Sequence, residues 1–585
     1  MCGIFALLNN SLIDNNIIYN EFNKGKNRGP EFSKLDFNYL KMVLGFHRLA
    51  INGLNSESNQ PIVFNDIILI CNGEIYNYKE LYKIMNVTPK TDSDCEVIIH
   101  LFIKYGIEQT LTMLDGVFAF VLLDNRISND LNNKVYVARD PFGVRPLYYS
   151  CETNTTSNLI GFASELKCIH NLFDQNEQTC IKQFEPGTYS VYNLSSKVQC
   201  IWKLEIENRS FHVPNMSVFN INTIMNSNNS HIDQFETIYQ QVNNYLTQAV
   251  YKRCETTERP IACLLSGGLD SSLISALVNN YCKINNMKTL ETYSIGLIGS
   301  EDLKNARIVA NYLKTNHTEI IVSEKEMFEI IPEVINAIES YDTTTVRASI
   351  GNYLLGKYIS KNSNAKVIFN GDGSDELCGG YLYMNKCPDD IEFDRESRRL
   401  LKEIHLFDVL RSDKSISSHG LEPRTPFLDK TFVNYYLSIP LYYRNHINHK
   451  EIEKFIIRHA FSNKYFNDYE NKQLLPNEIL WRKKEAFSDG VSSQGRSLYN
   501  ILQEQIETYL HKNNSLNINN ISANINTEKN YYKGLFNLFY PYCENILPHY
   551  WMPKYTNAHD PSARTLEFYN NNDNDTVTNI NYNIC

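Results

Sequence analysis

Residues 261–284 read "IACLLSGGLDSSLISALVNNYCKI". An apolar run, Ile261 to Leu265, ends in Ser266-Gly267-Gly268, and a helical period opens at Ser271. Strand, glycine turn and helix in that order make one βα unit, the repeating element of a parallel sheet. The turn leaves backbone N–H groups and hydroxyls unobstructed, and the helix N-terminus behind them favours negative charge. Together they form a site for a pyrophosphate-like anion. A bare Ser-Gly-Gly is as readily a capping turn. The full heptad Ser266–Ser272, set between strand and helix, favours the anion site.

The residues around this unit repeat its texture. Helical periods such as "DQFETIYQQVNNYLTQAVYKR" (233–253) alternate with short apolar runs, "TYSIGL" (292–297) and "KVIFNG" (366–371). That alternation predicts a doubly wound parallel sheet over residues 233–565. A second loop, "AKVIFNGDGSDELCGGY" (365–381), sets Asp372, Asp375 and Glu376 among glycines at the C-terminal end of a predicted strand. Ligands bind at that edge of an open α/β sheet. A third segment, "ESYDTTTVRAS" (339–349), offers Thr344, Thr345 and Arg347, and by itself reads as a helix start.

Residues 2–205 differ. Short β-branched and aromatic runs, among them "KMVLGFHRLAI" (41–51), "DIILICNGEIYN" (66–77) and "VFAFVLLD" (117–124), predict a layered, largely β domain. An Asn- and Ser-rich stretch, 206–232, reads as a linker or insertion, and the polar tail 566–585 as disordered.

Composition narrows the function. The 585 residues suffice for more than one domain. A formal charge of -10 excludes a general nucleic-acid binder, which needs a basic surface. No run approaches the ~18 apolar residues of a membrane span, and no secretory leader is seen. The 14 cysteines lack paired CxxC spacing, which argues against structural zinc and predicts reduced thiols in a cytoplasmic protein.

The front domain carries its own chemistry. With Met1 removed, Cys2 holds a thiol and a free α-amine on one residue. An α-amine titrates at about 7.7–8.0 and can serve as general base, so the nucleophile brings its own proton acceptor. Asn72 and Gly73 are suited to donate N–H groups to an oxyanion. Arg48 can clamp an α-carboxylate and Asp94 can accept from an α-ammonium. Those ends define a free amino acid, and a carboxamide at its far end makes it glutamine. Each residue alone has an ordinary structural explanation; their joint occurrence is the signal.

Taken together, the motifs resemble the glutamine-dependent asparagine synthetases, from Cys2 to about residue 565. They include "RGPEFS" (28–33), "HRLAI" (47–51), "NGEIYN" (72–77), "SDCEVI" (93–98), "RDPFGVRPLYY" (139–149), "FASELK" (162–167), "LLSGGLDSS" (264–272), "YDTTTVRAS" (341–349), "GDGSDELCGGYLY" (371–383), "EPRTPFLD" (422–429), "KKEAFSDGV" (483–491) and "DPSAR" (560–564). The resemblance implies an αββα N-terminal-nucleophile glutaminase domain followed by an ATP-pyrophosphatase domain of the adenine nucleotide α-hydrolase type. Cys2 would attack glutamine, and ATP would adenylate aspartate. Ammonia passing between the sites would displace AMP to give asparagine.

Carried over by motif, glutamine would meet Arg48, Leu49, Ala50, Ile51, Asn52, Asn72, Gly73, Glu74 and Asp94. ATP would meet Leu265, Ser266, Gly267, Gly268, Asp270, Ser271, Ser272, Ile295, Asn370 and Gly371. Thr344, Thr345, Arg347, Asp372, Asp375 and Lys454 would surround the adenylation and pyrophosphate end, with Mg²⁺ on Asp270 and Asp375. The implied substrates are glutamine, aspartate and ATP. Oligomeric state stays open, with a homodimer as the assembly to test.

One departure stands out. The family's second loop usually reads SGEGSDE, whereas this chain has "NGDGSDE" (370–376). Asp372 replaces a glutamate tied to formation of the aspartyl-adenylate and reaches one methylene less. Two other readings therefore remain. One is a homologue that hydrolyses glutamine, or regulates, without making asparagine. The other is an amidotransferase for a different carboxylate.

Overall fold

The computed structural model describes residues 1–126, 133–152, 158–173, 179–195, 200–212, 231–484, 490–492, 496–512 and 527–566. Two six-stranded sheets form the front domain. The first holds β1 (Gly3–Leu8), β2 (Phe32–Tyr39), β3 (Met42–Arg48), β8 (Tyr148–Glu152), β9 (Ile160–Ala163) and β10 (Thr179–Gln183), in the order β10-β8-β9-β1-β3-β2. The second holds β4 (Ile62–Phe64), β5 (Ile67–Ile75), β6 (Gly116–Asp124), β7 (Lys134–Arg139), β11 (Thr188–Ser195) and β12 (Ile201–Ser210), in the order β12-β11-β7-β6-β5-β4. All pairings in both are antiparallel.

The burial of β1 explains its unbroken apolar run. Ile4, Ala6 and Leu8 share a core with Ile68, Ile70, Ala119 and Val121 of the facing sheet. Phe5 and Leu7 point the other way, into a cluster with Phe22 of α1 (Asn15–Asn23). Alternate residues thus face opposite layers, as the two-residue period of a strand requires. On the far side of the second sheet lie α2 (Tyr78–Met85) and α3 (Val97–Met113), which contribute Leu81, Met85, Val97, Ile98 and Leu101.

The αββα expectation holds with one difference. The outer layer over β1 is shared, because Ile331, Val334, Ile335 and Ile338 of the second domain complete the cluster around Phe5 and Leu7. β12 continues to Ser210, past the boundary placed at residue 205, because Thr188 and Tyr189 of β11 pair with its Ser210 and Arg209. Of the predicted linker, 213–230 lie outside the described residues, and 567–585 of the predicted tail do also.

The second domain opens with α4 (His231–Glu255) and carries a five-stranded parallel sheet: β13 (Ile261–Leu264), β14 (Glu291–Gly296), β15 (Asn316–Ile321), β16 (Val367–Phe369) and β17 (Glu422–Arg424). The order is β15-β14-β13-β16-β17, so the winding reverses between β13 and β16. Both faces are covered. Ala262 and Leu264 pack with Leu355 and Ile359 on one side, while Cys263 and Leu265 pack with Leu273 and Leu277 of α5 (Leu269–Ile284) on the other. The reversal opens a crevice beyond the carboxyl ends of β13 and β16. The two Gly-rich loops emerge there.

Candidate active sites

The loops after β13 and β16 close on one cavity of about 210 Å³. Its walls include Leu265, Ser266, Gly268, Asp270, Ser271, Ile295, Thr344, Asn370, Gly371, Asp372, Asp375 and Lys454. Gly267 turns the first loop at φ +75°, and a Cβ there would lie 2.4 Å from Ala306 N, so only glycine fits. Ser271 Oγ accepts from Ser266 N at 3.2 Å and lies 2.9 Å from Ser266 Oγ, which orders the hydroxyls of the loop. Ser272 is fully buried in the first turn of α5, away from the wall.

Charge concentrates at one end. Lys454 Nζ lies 2.6 Å from Asp270 Oδ2 and 2.5 Å from Asp375 Oδ1, and Lys484 also pairs with Asp375. Burial alone would lower the Lys454 ammonium, yet Asp270 and Asp375 hold it above its ordinary range. Burial alone would raise Asp375, yet the two lysines hold it well below the usual carboxylate range. Ser374 Oγ donates to Asp270 Oδ1 at 2.8 Å. Two carboxylates already converging on one cation fit a Mg²⁺ ion that takes its remaining ligands from phosphate oxygens and water. Among the described residues, no group of three or more His, Cys, Asp or Glu side chains forms a self-sufficient metal site.

Asp372 faces the cavity beside Asp408, Arg411, Glu376 and Tyr381. Sequence reasoning named Asp372 and Glu376, but not Asp408, Arg411 or Tyr381. Tyr381 Oη donates to Glu376 Oε1 at 2.5 Å and approaches Asp408 Oδ2 at 3.0 Å. Burial, then the neighbouring Asp408, pushes Glu376 well above the carboxylate range. Thr344 Oγ1 lines the cavity with no protein partner.

Two expected pyrophosphate residues are placed elsewhere. Thr345 donates both its N–H and its hydroxyl to Asp342, which caps the helix Thr343–Asn362. Arg347 is saturated: Nε and Nη2 donate to Glu528 at 2.9 and 2.6 Å, and Nη1 and Nη2 to Asp560, both at 2.8 Å. Its guanidinium stacks over Tyr499 and is absent from the cavity wall. Arg347, expected at the reacting centre, here forms ion pairs that tie the segment around Glu528 and Asp560 to this helix.

In the front domain, Cys2 precedes β1, and its Sγ donates to Leu49 O at 3.6 Å. Burial pushes the thiol up to about 11. The α-ammonium present here is that of Met1. It is buried against Leu421 O at 3.4 Å and pushed down to about 5 by burial. The nitrogen on Cys2 is then a peptide nitrogen, so the proposed base exists only once Met1 is gone.

Asn72 and Gly73 sit in β5, opposite Ala119 and Phe118. A Cβ on Gly73 would lie 2.7 Å from Val117 O. Asn72 is buried, its Nδ2 3.4 Å from Ser164 Oγ and its Oδ1 without a partner. Ser164 Oγ also accepts from Ile4 N at 3.0 Å, and so spans from the nucleophile's strand to Asn72. Its motif, "FASELK", was legible, but its role was not. Asp94 accepts from Ile75 N at 2.7 Å, and burial pushes its carboxyl up to about 6.

Arg48 differs from expectation. Its terminal nitrogens donate to Asn55 O and Asn59 Oδ1, both at 2.8 Å, and to the carbonyls of Asn52 and Gly53. It holds the loop after β3 rather than standing as a free clamp, and a carboxylate would have to displace a carbonyl.

That loop is also where the domains meet. Ala50 O accepts from Arg259 Nε at 2.8 Å, Ile51 O from Glu258 N at 3.1 Å, and Gly53 N donates to Glu258 Oε1 at 2.6 Å. Leu49 is buried in the second domain's main core. Asn52 Nδ2 donates to Glu74 Oε2 at 2.7 Å, and Arg424 of β17 lies 3.4 Å from the same oxygen. Arg424 O in turn accepts from Asn370 N at 3.1 Å. One buried strand therefore touches Glu74 on one side and the loop after β16 on the other.

Comparison with known proteins agrees with both halves. A glutamine amidotransferase domain family matches residues 1–207, and an asparagine synthase family matches 241–390 and 385–530. Curated relatives include the asparagine synthetase [glutamine-hydrolyzing] of Gallus gallus and that of Homo sapiens. Each is 40% identical over 97% of this chain and 99% of its own length. Among solved structures, an NMN synthetase from Francisella tularensis aligns at 12% identity and a TM-score of 0.24, covering 55% of this chain and 98% of its own. An NAD⁺ synthetase from Burkholderia pseudomallei aligns at 13% and 0.19, covering 38% and 86%. Those two scores are too low to add to the sheet topology above. On the strength of its full-length relatives and both domain matches, the chain belongs to the glutamine-hydrolysing asparagine synthetase family.

Proposed function

We propose that the protein makes asparagine from aspartate, ATP and glutamine, releasing AMP, pyrophosphate and glutamate. The observation that carries this reading is the cavity at the sheet reversal, where Ser266, Gly268, Asp270, Asp375 and Lys454 face one another in the same chain as Cys2. The loop N–H groups and Lys454 suit a leaving pyrophosphate. Mg²⁺ held by Asp270 and Asp375 would offset charge on its oxygens. Aspartate's β-carboxylate would attack the α-phosphorus and become an acyl-adenylate beside Asp372.

In the front domain the Cys2 thiol, its proton taken by its own α-amine, attacks the carboxamide carbon of glutamine. Asn72 Nδ2 and the Gly73 N–H are the donors for the oxyanion. Collapse expels ammonia and leaves a thioester, which water cleaves to glutamate. Ammonia then attacks the adenylate and displaces AMP. Passage between the sites out of contact with solvent would keep ammonia from protonation and the adenylate from water. A cytoplasmic location suits thirteen cysteines that are all free among the described residues, and no described helix is long and apolar enough to cross a membrane.

The test is incubation with ATP, Mg²⁺ and aspartate, supplying glutamine or ammonium. Asparagine and pyrophosphate from both nitrogen sources support the proposal. Glutamate without asparagine would refute it in favour of a glutaminase that has lost synthesis.

A further inference from the structure

The adenylation loop fixes its carboxylate through neighbours rather than through backbone freedom. A Cβ on Gly371 would lie 2.8 Å from the Asp270 backbone. Gly373 stands at φ +92°, with Leu428 2.5 Å from where its Cβ would be. The loop therefore cannot shift to make up for a side chain one methylene shorter than glutamate.

Arg411 and Asn370 hold Asp372 instead, with the Ser412 hydroxyl also against its carboxylate. Arg411 Nη2 donates to Oδ1 at 2.8 Å, and Asn370 Nδ2 donates to Oδ2 at 2.8 Å. Asn370 is itself fixed. The second hydrogen on its Nδ2 goes to Ser412 Oγ at 2.6 Å, and its Oδ1 faces Asp372 N at 3.4 Å. With both hydrogens and the carbonyl engaged, the amide has one orientation. A serine hydroxyl at 370 would end one atom nearer the backbone. Its single hydrogen would also be unable to bridge Asp372 and Ser412. The donor has gained an atom of reach where the acceptor has lost one.

We propose that Asn370 is a positioning residue, which carries the Asp372 carboxylate to its working place in the pocket, and that the two function only as a pair. This rests on the synthetase reading of that pocket. Arg411 and Ser412 lie next to each other on the helix Asp408–Ser417, so that helix forms the fixed wall against which the pair is set.

The experiment uses the full chain with ammonium as nitrogen source, so that glutamine hydrolysis does not limit the rate, and reads asparagine and pyrophosphate. N370S is expected to lower kcat about 10- to 100-fold, the scale of a ~1 Å misplacement, with the ATP KM within about threefold. D372E, crowded by Asn370, should lower kcat about tenfold, and N370S/D372E should return it to within about threefold of the parent. A side chain that merely supports the fold would not be rescued by lengthening its neighbour. S412A is a second, milder arm, expected to lower kcat severalfold with a melting temperature within a few degrees of the parent. Losses that multiply in the double variant, or parental kcat in both N370S and S412A, overturn the proposal. D372N separates the levels. If D372N is dead while N370S and S412A are unaffected, only the positioning claim fails. If D372N synthesises at the parental rate, Asp372 has no part in the reaction and the proposal fails while the synthetase reading stands; if the parent chain itself yields neither asparagine nor pyrophosphate from ammonium, the synthetase reading fails.

Discussion

Lowering the pH from 7 to 5 should weaken glutamine binding about tenfold, and Asp94 is the reason. Its carboxylate is the proposed partner of the substrate ammonium. Burial raises it and a Glu422 charge adds to the rise, while the Ile75 N–H opposes, leaving it at about 6. A group raised in the folded protein is ionised above that value and protonated below it. With a midpoint near 6 the ionised fraction is about 0.9 at pH 7 and about 0.1 at pH 5. Affinity that needs the anion follows that fraction, which sets the tenfold loss, or about 1.4 kcal/mol. Glutamine's own α-groups do not titrate in this window, so the change belongs to the protein. Turnover is a poor readout, because the Cys2 amine also titrates. Calorimetric binding of glutamine to Cys2→Ala, which keeps the α-amine but cannot turn over, separates binding from the amine's part as general base. Asp94→Asn on the same background should bind weakly and show no pH dependence. A dissociation constant that moves less than about twofold between pH 7 and 5, or an Asp94→Asn variant that keeps the slope, would refute the assignment.

Other outcomes follow from the same geometry. Cys2→Ala should abolish asparagine formation from glutamine and keep it from ammonium, measured by amino-acid analysis; equal loss from both sources contradicts the division of labour. A chain that keeps Met1, or a tag before it, should also lose glutamine use, because Cys2 then has no free amine; mass spectrometry of active protein showing intact Met1 would sink this. Gly267→Ala should abolish detectable ATP binding in a fluorescent-nucleotide titration, because a left-handed non-glycine residue costs about 1–2 kcal/mol before its Cβ meets the Ala306 backbone. Arg424→Met should destabilise the protein by up to about 3–5 kcal/mol, since Glu422 would keep only Arg145, at 3.6 Å, and Glu74 only the Asn52 amide. An unchanged thermal midpoint would show that the network relaxes around the loss.

The legible parts share a feature: their signal is local. The strand-turn-helix of residues 261–284 fixes a parallel unit and an anion site because apolar runs, positive-φ glycines and helix starts are written in neighbouring residues. Cys2, Asn72, Gly73 and Asp94 were proposed in the same way, from residue type and the joint occurrence of short motifs. The partners of the two arginines were not legible, for the opposite reason. Arg347 looked available in its own motif, but its partners Glu528 and Asp560 lie 181 and 213 residues along the chain. Arg48 looked like a free clamp, but the loop after β3 folds back onto both of its terminal nitrogens.

The sequence alone thus determined two domains, the family chemistry they carry and many of the residues that line the second domain's cavity. Only the tertiary structure decided which charges are free to meet a substrate, that Ser164 spans from the nucleophile's strand to Asn72, and that β17 touches both sites. It also decided how a shortened carboxylate at 372 is held, by an amide two residues before it and an arginine from a distant helix. Motifs record residue types that local backbone and chemistry demand. The partner of a charged side chain is set by whatever long-range packing brings within about 3 Å of it, and no local pattern encodes that.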